Sequence, residues 1–297
     1  MDLLIGTFVL RPYVFGFVAA FLVAGVLDLG WRRTLLFGAW VAPLAWLSEF
    51  TSTRIGIPFG LYQYTGTTRG QELFVADVPA MDSLSFTFLT YAAFCLARGA
   101  LNRRRVPPAV LALASGVLMM LLDVVIDPVA LRGDQWFLGL LFSYADPGVY
   151  FGVPLSNFAG WMVLGTLSVG GYVCWSGCRV AGSRRGWAGI ESRGSDPSGH
   201  PARGGRDSDA WAHPASGFDR YGLTGWGADG GDRYGRRCWP GIALYYAVLA
   251  FNLVVTGWIG EWLLLSIGAA MHVVVAAALW NIGLRPATRL GLEKQRA

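Results

Sequence analysis

Six carboxylate residues stand in or beside long apolar stretches of the chain: Asp28, Glu49, Asp82, Asp123, Asp127 and Glu261. A charged side chain at the centre of a membrane helix costs about 2.5–3.5 kcal/mol, so residues of this kind are read first as functional. Asp28 lies close to Arg32 and Arg33 and is expected to pair with them. The other five fall at helix ends that a simple alternation of spans brings to one membrane face, and Asn157 joins them there. Asp123 and Asp127 are four residues apart and project from one side of a helix. A carboxylic acid held neutral by apolar surroundings can donate a proton, and a nearby carboxylate can accept one. Each residue also has a plainer use. Asp82 and Glu261 can cap free backbone N–H groups at a helix amino end, and Asp127-Pro128 can be a helix stop. Capping does not account for Glu49 and Asp123, which stand at helix carboxyl ends where the dipole disfavours negative charge.

The connections between these acids are long and aromatic. One reads Ile55-Gly-Ile-Pro-Phe-Gly-Leu-Tyr-Gln-Tyr-Thr65 and runs to Ala76-Asp-Val-Pro-Ala-Met-Asp82. The other runs from Asp127-Pro128 through Trp136 to Asp146-Pro-Gly-Val-Tyr-Phe-Gly-Val-Pro-Leu-Ser-Asn-Phe-Ala-Gly-Trp161. They resemble each other: Val78-Pro79-Ala-Met-Asp82 matches Val153-Pro154-Leu-Ser-Asn157. Glu49 precedes Asp82 by 33 residues and Asp123 precedes Asn157 by 34, as a duplicated helical hairpin would have it. Phe59, Tyr62, Tyr64, Trp136, Tyr150, Phe151, Phe158 and Trp161 supply aromatic faces, or an interfacial belt. His272 is read as a packing residue with a hydrogen bond, and Cys95, Cys174, Cys178 and Cys238 as small apolar side chains. His200, His213 and Cys238 match no metal-ligand spacing, so no metal is expected.

The elements that must position these groups follow from composition. Of 297 residues 54% are hydrophobic and only 14% charged, where soluble domains carry about a quarter. The mean hydropathy is +0.44. An all-α, polytopic membrane protein is the class that remains. Seven stretches are long and apolar enough, or nearly so, to span: about 12–30, 34–50, 80–98, 108–126, 150–175, 241–259 and 262–283. The leader MDLLIGTFVL carries Asp2 and no basic cluster, unlike a cleaved signal peptide. With the amino terminus outside, twenty basic residues fall inside against four outside (Arg11, Arg54, Arg69 and Arg132), and ten against four without the longest loop. The positive-inside rule therefore puts the amino terminus outside the cell membrane and the carboxyl terminus in the cytoplasm. Residues 182–240, rich in Gly, Arg, Ser and Asp, read as a disordered cytoplasmic loop. They separate a five-span membrane domain (1–181) from two further spans and a basic tail (241–297). The basic pI near 9.2 reflects loop arginines and topology rather than nucleic acid. The only Lys is Lys294, in the tail, which excludes a retinal Schiff base within a span. There is no His-Glu-x-x-His run and no nucleophile-elbow serine motif.

The run Gly56-Ile-Pro-Phe-Gly-Leu-Tyr-Gln-Tyr-Thr65, with Val78-Pro79, Asp123 through Asp127-Pro128, and Tyr150-Phe-Gly-Val-Pro-Leu-Ser-Asn157-Phe-Ala-Gly-Trp161, resembles the carotenoid biosynthesis hydratase family over roughly residues 40–165. The resemblance implies cofactor-free addition of water to the terminal C1=C2 double bond of an acyclic carotenoid end, giving a tertiary alcohol at C1. Its partners would be a polyene lipid, the bilayer and other enzymes of the pathway. That chemistry needs a neutral carboxylic acid to protonate C2, aromatic faces beside the cation at C1, and a base for the incoming water. Asp123 or Glu49 is the expected donor, with Asp82, Asp127 and Asn157 positioning water. Two alternatives use the same residues: another isoprenoid lyase or isomerase, and a proton-coupled transporter, which would need a polar path through the bilayer.

Overall fold

The computed structural model describes residues 2–101, 106–187 and 238–284, with backbone only over 177–187. The described residues form eight α-helices: α1 Asp2–Leu10, α2 Pro12–Leu29, α3 Trp31–Ile55, α4 Ala80–Leu101, α5 Pro108–Ala130, α6 Leu155–Trp187, α7 Trp239–Trp258 and α8 Trp262–Leu279. A helix covers most of each of the seven expected stretches, the fifth beginning at Leu155 and not at 150, and six of the described helices are long and apolar enough to cross a membrane. The remaining stretch is α3, whose 25 residues include Arg32, Arg33, Glu49 and Arg54. The protein is a helical polytopic membrane protein. Its leader forms α1, a separate helix broken from α2 at Arg11-Pro12, where proline takes the first helical turn.

Most of the loop readout of residues 182–240 lies outside the described residues, as do His200, His213 and the tail from 285. The two edges of that segment are helical: 182–187 extend α6, and Trp239 and Pro240 open α7. Two expectations at the helix ends are corrected. The helix does not stop at Asp127-Pro128, since α5 carries on through Pro128 to Ala130. Asp28 does not pair with Arg32 or Arg33, which are exposed. It pairs instead with Arg98 of α4, and both side chains are buried. Tyr91 donates a hydrogen bond to the same carboxylate (3.3 Å), and Arg98 also reaches Cys238 Sγ at 2.8 Å, pinning α2, α4 and the start of α7 together at the end opposite the acids.

Helix α4 is the centre of the bundle, buried along nearly its whole length and packed on α2, α3, α5 and α7. Helices α5 and α6 form the closest pair. A Cβ on Gly116 would sit 2.4 Å from the Met162 carbonyl oxygen, so only glycine lets these backbones meet.

The two long connections fold alike. Each sends out one strand, β1 Tyr62–Tyr64 and β4 Phe142–Tyr144, and these pair antiparallel with Tyr62 opposite Tyr144 and Tyr64 opposite Phe142. Each then makes a tight turn before its Val-Pro: β2 Phe74–Val75 pairs with β3 Val78–Pro79, and Tyr150 bridges Val153. The two turn residues have positive φ in both loops, Ala76 (47°) and Asp77 (73°) in one, Phe151 (51°) and Gly152 (90°) in the other. The α3–α4 and α5–α6 hairpins are thus a structural repeat, with the turn geometry repeated at the positions the sequence match aligns.

Replacing Gly116 by Val should force α5 and α6 apart and cost about 1–3 kcal/mol of stability. Thermal unfolding of the detergent-solubilised protein checks this, with the exposed α7 position Val254→Ala as the control.

Candidate functional site

Glu49 lies in α3 one and a half turns before its end, and α3 closes at Gly56, whose left-handed backbone (φ 76°) lets its N–H reach the Ser52 carbonyl. The chain then folds back over the helix end. The Phe59 backbone N–H donates to Ser52 Oγ (3.0 Å), which sets Phe59 in the core. Gly160 of α6 makes room for it, because a Cβ there would come within 2.7 Å of the Phe59 ring and the Pro58 carbonyl. Phe59, Phe86 and Trp161 form a stack, with the last two ring centroids 4.4 Å apart.

The β1–β4 ribbon closes over this stack. Strand alternation puts Tyr62, Tyr64, Phe142 and Tyr144 on one face, toward the bundle, and Gln63 and Ser143 on the other. From that face Tyr64 donates to Glu49 Oε1 (3.0 Å) and Tyr144 to Asp127 Oδ2 (3.2 Å). Burial, reinforced by the neighbouring Glu49 or Asp127 carboxyl, pushes the phenols of Tyr62, Tyr64 and Tyr144 above their usual range, so they act as neutral O–H groups.

The acids fall into three settings. Glu49, buried, also accepts a hydrogen bond from Ser83 at the start of α4, so two hydroxyls hold it. Asp82 accepts from Arg11 (2.9 Å), whose other terminal nitrogen is 2.8 Å from the fully buried Glu72. Asp123 and Asp127 face a single amide: Asn157 Nδ2 donates to Oδ2 of both at 2.7 Å. The second Asp123 oxygen, Oδ1, is buried, and among the described residues no group donates to it. Glu261 lies apart from these, in the α7–α8 turn, paired at 2.8 Å with Arg132 from the connection after α5.

These groups surround a cavity of about 150 Å³ at one end of the bundle. Among the sequence candidates, Glu49, Asp82, Asp127, Asn157, Phe59, Tyr62, Tyr64, Trp136 and Trp161 line it. Asp123 is behind this wall, wholly buried, and reaches the cavity only through Asn157 and Asp127. Tyr150, Phe151 and Phe158 are not on the wall. Phe151 occupies the positive-φ turn, and Tyr150 packs edge-on against both Phe151 and Phe158. The structure adds residues that the sequence did not single out. Arg11, Tyr144 and Phe142 complete the polar and aromatic rim, while Phe17, Phe88, Leu89, Val248, Phe251 and Asn252 line the deeper part. The charge of Arg11 beside an apolar run was the available signal for one of them, and it had been counted only toward topology. Among the described residues no group of His, Cys, Asp and Glu is arranged to hold a metal ion. His272 is buried, 3.0 Å from the Gly268 carbonyl within α8 and 3.5 Å from the Tyr245 hydroxyl, and it does not line the cavity, as expected of a packing residue.

No solved structure matches the chain. It is 32% identical over 166 residues to the bisanhydrobacterioruberin hydratase of Haloarcula japonica, a match covering 56% of this chain and 51% of that protein. The match therefore spans about half the length of that relative. The family profile described as carotenoid biosynthesis protein matches residues 8–187. That span holds Arg11, both paired loops and every site carboxyl, and leaves out α7. With more than half of its length inside this match, the chain belongs to the carotenoid biosynthesis protein family.

Proposed function

We propose that the protein is a carotenoid hydratase, adding water across the terminal C1=C2 double bond of an acyclic carotenoid end to give a tertiary alcohol at C1. The observation that carries this reading is the cavity itself: Glu49, Asp127 and Asn157 face one small, aromatic-walled space at the helix ends. A cavity of about 150 Å³ takes a benzene-sized group, which suits the branched tip of a polyene and not the whole molecule. The name of the Haloarcula relative supports the same reaction type.

The residues divide into an acid and a base. Two carboxyl groups in contact and away from water share one proton, since like charges that close do not both ionise. Asp123 and Asp127, both gathered on the Asn157 amide, are read as such a pair. One shared proton offsets the cost of burying two carboxyls around one donor. Asp127, on the cavity wall, is then the group that hands a proton to C2, and Asp123 is its reservoir. In this reading the reacting proton leaves Asp127, where the sequence pointed to Asp123 or Glu49 as donor. Glu49, which faces the same cavity and accepts hydrogen bonds from Tyr64 and Ser83, takes the role of base.

Transfer of the Asp127 proton to C2 leaves a tertiary cation at C1. Trp161, Phe86, Phe59 and the tyrosine faces of the β ribbon stabilise it through cation–π attraction, worth about 2 kcal/mol or more at a desolvated site. A water oxygen bonds to C1 and loses one proton to Glu49. The double bond has then gained one H and one OH, and proton exchange with solvent restores both carboxyls. Nothing is oxidised or reduced, so the step calls for no redox cofactor. Asp82, locked to Arg11, holds the water side of the cavity. The bias of basic residues puts this end of the bundle on the outer membrane face. A transporter would need the polar lining to continue inward, whereas here the floor is Leu89 and Val248.

Expression in a bacterium that accumulates lycopene tests the reaction. A more polar pigment heavier by one water, with an unchanged chromophore spectrum, is expected by chromatography and mass spectrometry. An unaltered pigment there and with a C50 acyclic precursor would rule the activity out. In the same assay Asp127→Asn and Glu49→Gln should each lower turnover by about 10²–10⁴-fold, the usual contribution of a general acid or base, with membrane insertion intact. Asp123→Asn should be comparably damaging because it removes the shared proton. Tyr64→Phe, which takes one of two donors from Glu49, should cost about 10–100-fold, near the worth of one hydrogen bond to a charged group.

A further inference from the structure

The deeper half of the cavity has no part in the acid and base chemistry, yet it is shaped. Leu89 lies nine residues into α4, about 13 Å below the helix start, and Val248 lies about 15 Å from the end of α7. The cavity thus descends from the carboxyl rim toward the middle of the bundle, and its lower walls are apolar. The polar group there, Asn252, spends its amide on the Val248 carbonyl (2.9 Å) within its own helix.

The lower walls differ in exposure. Phe88 and Leu89 of α4 are buried, whereas Phe17 of α2 and Phe251 of α7 are only partly covered. Their rings meet edge to face at 5.7 Å and form the seam between these two helices. Tyr13 stacks on Phe251 just above it (5.4 Å). Helix α2 is the least embedded of the helices around the cavity, with 22% of its span buried inside the protein. Val23 and Val254, on the outward faces of α2 and α7, are 62% and 69% exposed to the surrounding bilayer.

We infer that the Phe17–Phe251 seam is a lateral portal, through which the long apolar arm of the substrate leaves the cavity into the bilayer while its tip sits among the carboxyls. The inference deepens the hydratase reading and rests on it for the identity of the tip chemistry. An occupant longer than the cavity must leave it somewhere. The upper end is lined by carboxyls, the phenols of the β ribbon and the Arg11–Asp82 pair, which suit water and not a polyene, and the α4 side is solid core. Two aromatic side chains at a lipid-facing seam are the part that can turn aside without breaking a hydrogen bond. The portal makes Phe17 and Phe251 specificity-determining residues. The seam admits a flat polyene with only methyl branches and rejects arms bulkier at that depth.

Two measurements on the full chain in membranes test it. The first is the ratio of kcat/KM for a C40 acyclic carotenoid to that for a C15 acyclic isoprenoid bearing the same terminal double bond. Phe17→Trp and Phe251→Trp narrow the seam and should lower this ratio by about tenfold, the scale of one misfitted group in an apolar pocket. Val254→Trp, on the lipid face of α7, should leave the ratio where it is. A ratio unchanged in both Phe variants overturns the portal. The second reads binding without chemistry: Phe251→Cys alkylation by a membrane-permeant maleimide, above the wild-type background, should slow several-fold when lycopene is present, and Val254→Cys alkylation should not. Protection without hydration in the wild type would keep the portal and remove the proposed reaction. Hydration with neither protection nor a shifted ratio would keep the reaction and remove the portal. The absence of both protection and hydration would remove both.

Discussion

Two three-residue strands hold the site together. Helices α3 and α5 each bring an acid to the same end of the bundle, but packing in the membrane alone leaves the distance and tilt of those ends loosely set. The β1–β4 pairing ties the two connections by backbone hydrogen bonds in one register, Tyr62 to Tyr144 and Tyr64 to Phe142. It thereby delivers one phenol to Glu49 and another to Asp127 from the same ribbon. A slip of one residue would turn all four aromatic side chains to the opposite face. The carboxyls would lose their donors and the cavity its lid together.

The pairing also explains how a repeated hairpin yields an unsymmetrical site. Both halves supply an acid near a helix end, a strand tyrosine that donates to an acid, a positive-φ turn and a polar residue in the first turn of the next helix. The differences lie in what meets each acid. In the first half Ser83 and Tyr64 offer hydroxyls to Glu49, and Asp82 is drawn away by Arg11. In the second half Asn157 offers one amide to two carboxyls, because α5 carries Asp127 a turn beyond Asp123 and continues through Pro128 rather than ending there. Hydroxyl donors suit a carboxylate, and a pair of acids around one amide suits a shared proton. A hydration needs one of each, and duplication followed by a few polar substitutions is enough to produce them.

The acids, the aromatic loops and the helices were legible in the sequence because each leaves a local mark: a charge in an apolar run, a Val-Pro repeated at matching spacing, a stretch of about twenty apolar residues. What was not legible depends on partners distant in the chain. Asp28 has Arg32 and Arg33 as sequence neighbours, yet they point to the membrane surface and Arg98, seventy residues away, reaches it instead. Arg11 counted as a loop charge because Glu72 and Asp82, which bury it, lie in another hairpin. Tyr150, Phe151 and Phe158 share a motif with Trp161, but a turn with positive φ sends them outside the cavity wall. The contributions of α2 and α7 were hidden for another reason. A helix that is apolar all round carries no sign of which face meets protein and which meets lipid.

For the hydration proposed above, the position of the site at the helix ends follows from the two reactants. Water is abundant at the interface and scarce in the hydrocarbon, while a polyene has the opposite preference. A site in the bilayer centre would have to bury four carboxyls without water nearby, and one in a soluble domain would have to extract the whole polyene from lipid. At the interface each reactant keeps most of its own solvent, and only the few atoms that react must be moved. The cavity is graded to match, with carboxyls and phenols above, the Phe59–Phe86–Trp161 stack between, and apolar side chains below. The gradient itself orients the substrate: a tip placed upward meets the acid, and the arm placed upward would be forced against Arg11 and Asp82. The same grading that lets Asp127 and Glu49 coexist near an apolar substrate therefore also selects which atoms of that substrate they meet.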